Sequence, residues 1–229
     1  MTPTHPFEVL YEDNHQLLVN KPAGMLTQPN DTADISLEEL TKDWIKKRYQ
    51  KPGNVFLSAI HRLDKPASGL VLFARTSKGL SRLQEAMRHG KIDKKYLALV
   101  EAPPKETRGV LEHYLVHDSH HARIAAFTET LAKKARLQYR VVHTQEEGMT
   151  LLEITLETGR YHQIRAQLSA IGLPILGDEK YGSRTAWAPH QIALHHYHME
   201  WPHPITREYV TCNAPLPSRW PLWCMRFLA

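Results

Sequence analysis

Apolar positions along the chain fall mostly into short runs separated by polar or Pro/Gly-rich stretches, the pattern of strands more than of long helices. Residues 7–11 and 16–20 are two such runs, bridged by Glu12-Asp13-Asn14-His15, and predict a hairpin. Ser36-Leu37-Glu38-Glu39 fits a capping box, in which a Ser hydroxyl and a Glu carboxylate satisfy free amides at a helix start. That helix is expected to reach about Tyr49, stop before Lys51-Pro52-Gly53, and pack through Leu37, Leu40 and Trp44. The run 70–74 reads as a buried strand, and 77–89 as a helix with Leu80, Leu83 and Met87 inward and Gly90 as its stop.

Residues 94–101 are β-rich and contain Tyr96. After Pro103-Pro104, the runs 110–116 and 123–127 alternate as antiparallel strands do, and 132–143 with 149–157 form a further pair. A third helix is expected over 161–171, with Ile164, Leu168 and Ile171 on one stripe, and 192–201 with 207–212 would complete the sheet. The tail 215–229 carries Trp220 and Trp223, which would pack as a lid or clasp. Many strands with three helices predict an α+β fold with a largely antiparallel sheet.

Composition narrows the class. A chain of 229 residues, 42% hydrophobic and 23% charged, can bury a sizeable core. No apolar run approaches the roughly 20 residues that cross a bilayer, and the N-terminus has no signal-peptide pattern, so a cytoplasmic protein is expected. Cys212 and Cys224 are too few for a disulfide framework. The net charge of +5 is unevenly placed: residues 61–95 hold nine Lys/Arg against three acids. A polyanion such as RNA is the partner this suggests, and a solvated helix face explains only part of it.

The candidate chemistry lies in residues 61–70, HRLDKPASGL, where Asp64 stands between Arg62 and Lys65 ahead of the buried run. A carboxylate serves as nucleophile or base only while ionised, and neighbouring cations keep it so. Taken alone, the decapeptide fits an Asp that caps a turn and pairs with a surface Arg better than a catalytic group. Two further stretches accompany it in order: Lys94-Lys95-Tyr96-Leu97-Ala98-Leu99-Val100, and Thr158-Gly159-Arg160-Tyr161-His162-Gln163-Ile164-Arg165 leading to Gly172-Leu173-Pro174-Ile175-Leu176-Gly177-Asp178.

Together the three blocks resemble the RluA-like family of RNA pseudouridine synthases over residues 7–216, nearly the whole chain. The resemblance implies one catalytic domain, with a long mixed sheet and a central cleft, that isomerises uridine in structured RNA, ribosomal or transfer, as a monomer without metal or other cofactor. It implies that Asp64 is the catalytic carboxylate, that Arg165 pairs with it, and that Tyr96 stacks on the target base. Arg62 would fill the gap left by the flipped base, and Ile164 would wall the base pocket. Lys21, in Lys21-Pro22-Ala23-Gly24, matches a stretch near the family's cleft and would be a phosphate contact or a surface cation. His61 and His162 are read as scaffold or backbone contacts.

Only six residues precede Phe7, so a separate N-terminal RNA-binding domain is not expected. The chain departs from the family pattern at Ala67 and Leu137, where Thr is usual, and at Gln167, where His is common. Those departures, with the basic segment 61–95, motivate an alternative, a catalytically idle RNA-binding protein on the same fold. A hydrolase reading through Asp64 or Ser68 lacks both a second carboxylate in the loop and a Gly-x-Ser-x-Gly elbow. His120-His121 and His195-His196-Tyr197-His198 show no metal-ligand spacing with Cys or carboxylates.

Overall fold

A computed structural model describes residues 5–227. In chain order the elements are β1 (Glu8–Glu12), β2 (Gln16–Lys21), α1 (Leu37–Arg48), β3 (Ser58–Ala59), β4 (Ser68–Ala74), α2 (Ser77–Arg88), β5 (Asp93–Val100), β6 (Arg108–Asp118), β7 (His121–Ala125), β8 (Lys133–Thr144), β9 (Thr150–Leu156), α3 (Gln163–Ala170), β10 (Leu194–Pro202), β11 (Tyr209–Asn213) and α4 (Leu222–Met225). A 3-10 turn covers Glu179–Tyr181. The fold class is α+β. The chain divides into two units, one made of residues 1–92 with 196–217, the other of residues 93–195 with 218–229.

In the first unit the strands run β1, β2, β4, β10, with β11 on β10 and β3 on β4. The β1–β2 turn is built by Asp13, whose Oδ1 accepts the amides of His15 and Gln16 at 2.6 and 2.9 Å. All seven residues of β4 are buried, as expected of a continuous apolar run inside a sheet. Leu18, Leu70, Leu72, Leu83, Met199 and Trp201 form the core of this unit. Trp201 is buried with its indole N–H donating to Gln16 Oε1 at 2.8 Å, which removes the cost of an unsatisfied donor.

The Ser36 capping box is present: Glu39 accepts the Ser36 amide at 2.9 Å and Ser36 Oγ accepts the Glu39 amide. The buried residues of α1 are Leu37, Glu38, Thr41 and Ile45, whereas the expected Leu40 and Trp44 are half-buried, Trp44 standing edge-on to Phe7 at 6.4 Å. Thr41 is admitted among the buried residues because its hydroxyl donates to Leu37 O at 2.6 Å, so a polar residue occupies a position the apolar pattern assigns elsewhere. In α2, capped by Thr76, Leu83 is fully buried while Leu80 and Met87 pack at the margin.

In the second unit β5, β9, β8, β6 and β7 follow one another as antiparallel neighbours. On β8 Ala135, Leu137 and Tyr139 face inward while Lys134, Arg136, Gln138 and Arg140 face out. The outward cations are matched by acids: Arg136 meets Glu112 and Glu157, Lys134 meets Glu112, and Arg140 meets Glu153, all within 3.0 Å. Helix α3 is shorter than expected, and Ile171 is its exposed C-cap, at 38% exposure, because the helix ends at Ala170. Of the tail, residues 218–227 belong to this unit, with Trp220 edge-on to Trp187 at 5.9 Å and Trp223 against His143 at 5.2 Å.

Candidate active site

The signature loop lies between β3 and β4 in the first unit, and its shape follows from backbone groups met by a second loop at 21–27. Leu63 is clamped in both directions by Thr27, whose Oγ1 accepts the Leu63 amide at 3.1 Å and whose hydroxyl donates to Leu63 O at 2.9 Å. Gly24 N donates to Lys65 O at 2.8 Å, and Ala67 N turns back to Asp64 O at 3.1 Å. Asp64 therefore sits in a turn whose flanks are fixed, and the residue is half-buried.

Lys21 anchors the arrangement from beneath. It is fully buried, and Nζ donates to Pro22 O, Met25 O and Lys65 O at 3.0, 2.8 and 3.3 Å. Three carbonyls match the three N–H groups of an ammonium, whereas a neutral amine could serve only two. Burial pushes the Lys21 ammonium down to about 7, and the opposing pull is the charge of Asp64. That attraction is mutual, so a protonated Lys21 favours the ionised carboxylate.

These contacts correct two expectations. Lys21 is neither a surface cation nor open to an RNA phosphate, because its nitrogen is sealed against the carbonyls of the loops it joins. Lys65, expected to flank Asp64 with positive charge, instead reaches Asp34 at 2.6 Å, while Arg62 is exposed. The basic stretch 61–95 is likewise not one open face. Arg75 pairs with Glu12 at 3.0 Å, Arg82 donates to Pro204 O at 2.8 Å, and Lys94 is buried.

His61 makes a backbone contact, its Nε2 accepting the Leu72 amide at 3.3 Å, and its ring stands edge-on to His196 at 5.3 Å. His196 Nδ1 lies 2.7 Å from Leu70 O. Gly69 explains itself here: at φ +116° it passes so close to His196 that a Cβ would lie 2.3 Å from His196 O.

The second unit carries Tyr96, Ile164 and Arg165. Tyr96 and Ile164 are both buried, on β5 and in the first turn of α3. The approach to α3 is folded by Gln163, whose Oε1 accepts Thr158 Oγ1 at 2.8 Å and Arg160 N at 3.0 Å while Nε2 donates to Arg136 O at 3.1 Å. His162 then adopts a left-handed φ of +50° at the helix N-cap. Burial, reinforced by the charge of Arg165, pushes the His162 imidazole down to about 3, so it is neutral, with Nδ1 2.9 Å from Tyr181 Oη. Arg165 is buried, and Nε and Nη2 form a fork with Asp178 Oδ2 and Oδ1 at 2.7 and 2.8 Å. The Tyr181 ring lies 4.9 Å from its guanidinium carbon.

A model of the family described as RNA pseudouridylate synthase matches residues 15–170. The chain belongs to the RNA pseudouridylate synthase family. Among its relatives is the uncharacterized RNA pseudouridine synthase YhcT of Bacillus subtilis, 31% identical over 215 residues that cover 92% of this chain and 69% of YhcT. Another is the dual-specificity RNA pseudouridine synthase RluA of Pasteurella multocida, 31% identical over 93% of this chain and 95% of that protein. Among solved structures, human RNA Pseudouridylate Synthase Domain Containing 4 shares the fold, with a TM-score of 0.76 at 23% identity, covering 92% of this chain and 89% of that one.

Within this pseudouridylate synthase fold, the first unit gathers Asp64, Arg62, His61 and Lys21 on two stitched loops. The second carries Tyr96, Ile164 and Arg165. Sequence reasoning passed over Asp178 and Tyr181: both stand in or beside a quoted motif, but a Gly-Asp after an apolar run reads only as a turn. Gln167, which stands where His is common, is buried with Nε2 3.1 Å from Leu111 O and 3.0 Å from His113 Nδ1. The histidine-rich stretches are spent on local contacts such as His198 with Asn213 and His121 stacked on Tyr181.

Proposed function

We propose that this protein isomerises particular uridines of structured RNA, in ribosomal or transfer RNA stem-loops, to pseudouridine. The reaction breaks the bond from sugar to N1, turns the base, and rejoins it through C5, with the C5 hydrogen leaving to solvent and N1 taking up a proton. Atoms balance with no oxidant or energy source. One ionised carboxylate and a site for the detached base meet its needs, with extrusion of the base from its stack.

In this reading Asp64 is the carboxylate, and Arg165 and Tyr96 belong to the same catalytic set. Arg62, exposed beside Asp64, takes the space vacated by the flipped base, and Ile164 walls the base pocket. The observation that carries the reading is the Asp64 turn itself, clamped by Thr27 and built over the buried Lys21 nitrogen, which donates to three loop carbonyls. Membership of the family supports the reaction, and the YhcT and RluA relatives support RNA as the substrate.

The test is a pseudouridine map of total RNA from cells with and without the gene. One or more sites should vanish on deletion, return with the wild-type gene, and stay absent with Asp64→Ala. Identical maps in all four strains contradict the reading.

A further inference from the structure

Arg165 and Asp178 form a forked ion pair whose side chains are only 5% and 1% exposed. Such a pair is a poor device for stability, since apolar side chains of similar volume do as well or better without the desolvation cost. What a two-point fork supplies is direction. It fixes where a guanidinium lies and which way its plane faces.

The position of Asp178 is itself set by the strand that carries Tyr96. Leu176 N donates to Leu99 O at 2.9 Å, Leu99 N donates to Ala193 O at 3.0 Å, and Ala193 N returns to Leu176 O at 2.9 Å. Ile175 bridges Val100, and Glu101, at the end of the same strand, accepts Ser183 Oγ and the amides of Arg184 and Thr185 within 3.0 Å. Asp178 O then receives the amides of Tyr181 and Ser183 at 2.9 and 3.1 Å, which closes the turn around the carboxylate. The Tyr181 ring thus supported lies along the Arg165 guanidinium, and its hydroxyl is held by Ala122 N at 2.8 Å and His162 Nδ1 at 2.9 Å.

We propose that Asp178 is a positioning residue for Arg165, transmitting the register of β5, and so of Tyr96, to the guanidinium through the 175–185 loop. The proposal rests on the reading that Arg165 serves the uridine isomerisation. Its consequence is geometric: a carboxylate one methylene longer keeps the charge and the ion pair but displaces the fork. Displacements near 1 Å at a catalytic group can cost on the order of 100-fold in rate.

The experiment compares wild type, Asp178→Glu, Asp178→Asn, Arg165→Ala and the Asp178→Glu/Arg165→Ala double variant. The substrate is total RNA from gene-deleted cells, labelled with tritium at uridine C5. Single-turnover tritium release gives the rate, and filter retention of the same RNA gives the affinity. Asp178→Glu is expected to release tritium at least about tenfold more slowly, with RNA retention within about twofold of wild type. In the Arg165→Ala background the same substitution should cost nothing further, because its effect passes through that side chain. Asp178→Asn, which opposes an N–H donor with an amide, should be at least as slow.

A wild-type rate in Asp178→Glu overturns the proposal, as does an equal further loss in the Arg165→Ala background. Should Asp178→Asn fail to fold, the two glutamate variants still decide. No release by wild type would overturn the functional reading itself. Release by wild type that Arg165→Ala leaves intact would remove Arg165 from the reaction, and the proposal with it.

Discussion

Lys21 is where the chemistry of single residues is most exposed to test. Its folded value of about 7 lies below the usual lysine value of 10.5. Between the two, the unfolded chain holds a proton that the folded chain does not, so this group's contribution to stability rises with pH across that window. The Lys21→Met variant removes that contribution. The stability of wild type relative to Lys21→Met should therefore climb from pH 7 to pH 9, by no more than about 1.4 kcal/mol per pH unit. Urea denaturation of both proteins measures it, and a difference that stays flat contradicts the lowered pKa of Lys21. Neither the carbonyl cage nor the neighbourhood of Asp64 was legible in the sequence. Lys21 and Asp64 stand in separate loops, and the Lys-Pro-x-Gly stretch names a turn without saying what the ammonium faces.

Elements were more legible, because capping and punctuation are local. Ser36, Glu39 and Gly90 marked helix ends that the fold keeps within a residue or two. Ser36→Ala should cost about 1 kcal/mol in thermal or urea unfolding, the usual size of a missing N-cap, and an unchanged midpoint contradicts the capping role. The buried stripe of α1 was misread for a reason also local, the hydroxyl of Thr41 being satisfied inside its own helix. Gly69 was legible as a residue but not as a requirement. Its positive φ and its approach to the His196 backbone come from a strand more than 120 positions away. Gly69→Ala should destabilise by roughly 3 kcal/mol, from strain and overpacking together, and a wild-type unfolding midpoint contradicts the close approach.

At the scale of the molecule, charge divides into spent and available groups. The cations facing outward on β8 are matched by Glu112, Glu153 and Glu157, whereas Arg62, Lys78 and Arg88 are exposed. Lys78→Gln with Arg88→Gln should weaken RNA retention and flatten its salt dependence, by about one unit of slope for each phosphate no longer neutralised. Arg140→Gln should leave both nearly unchanged. Equal effects contradict the division. The local charge excess was plain in the sequence. Which members of it were consumed by Glu12, Asp34 and Pro204 depended on folding, and so could not be read there.

The central claim is that Asp64 is the carboxylate of an RNA pseudouridine synthase, and tritium release from RNA labelled at uridine C5 tests it most directly. Wild type should release label from the sites it modifies, while Asp64→Ala should retain RNA yet release none above background. Release by Asp64→Ala at the wild-type rate contradicts the account.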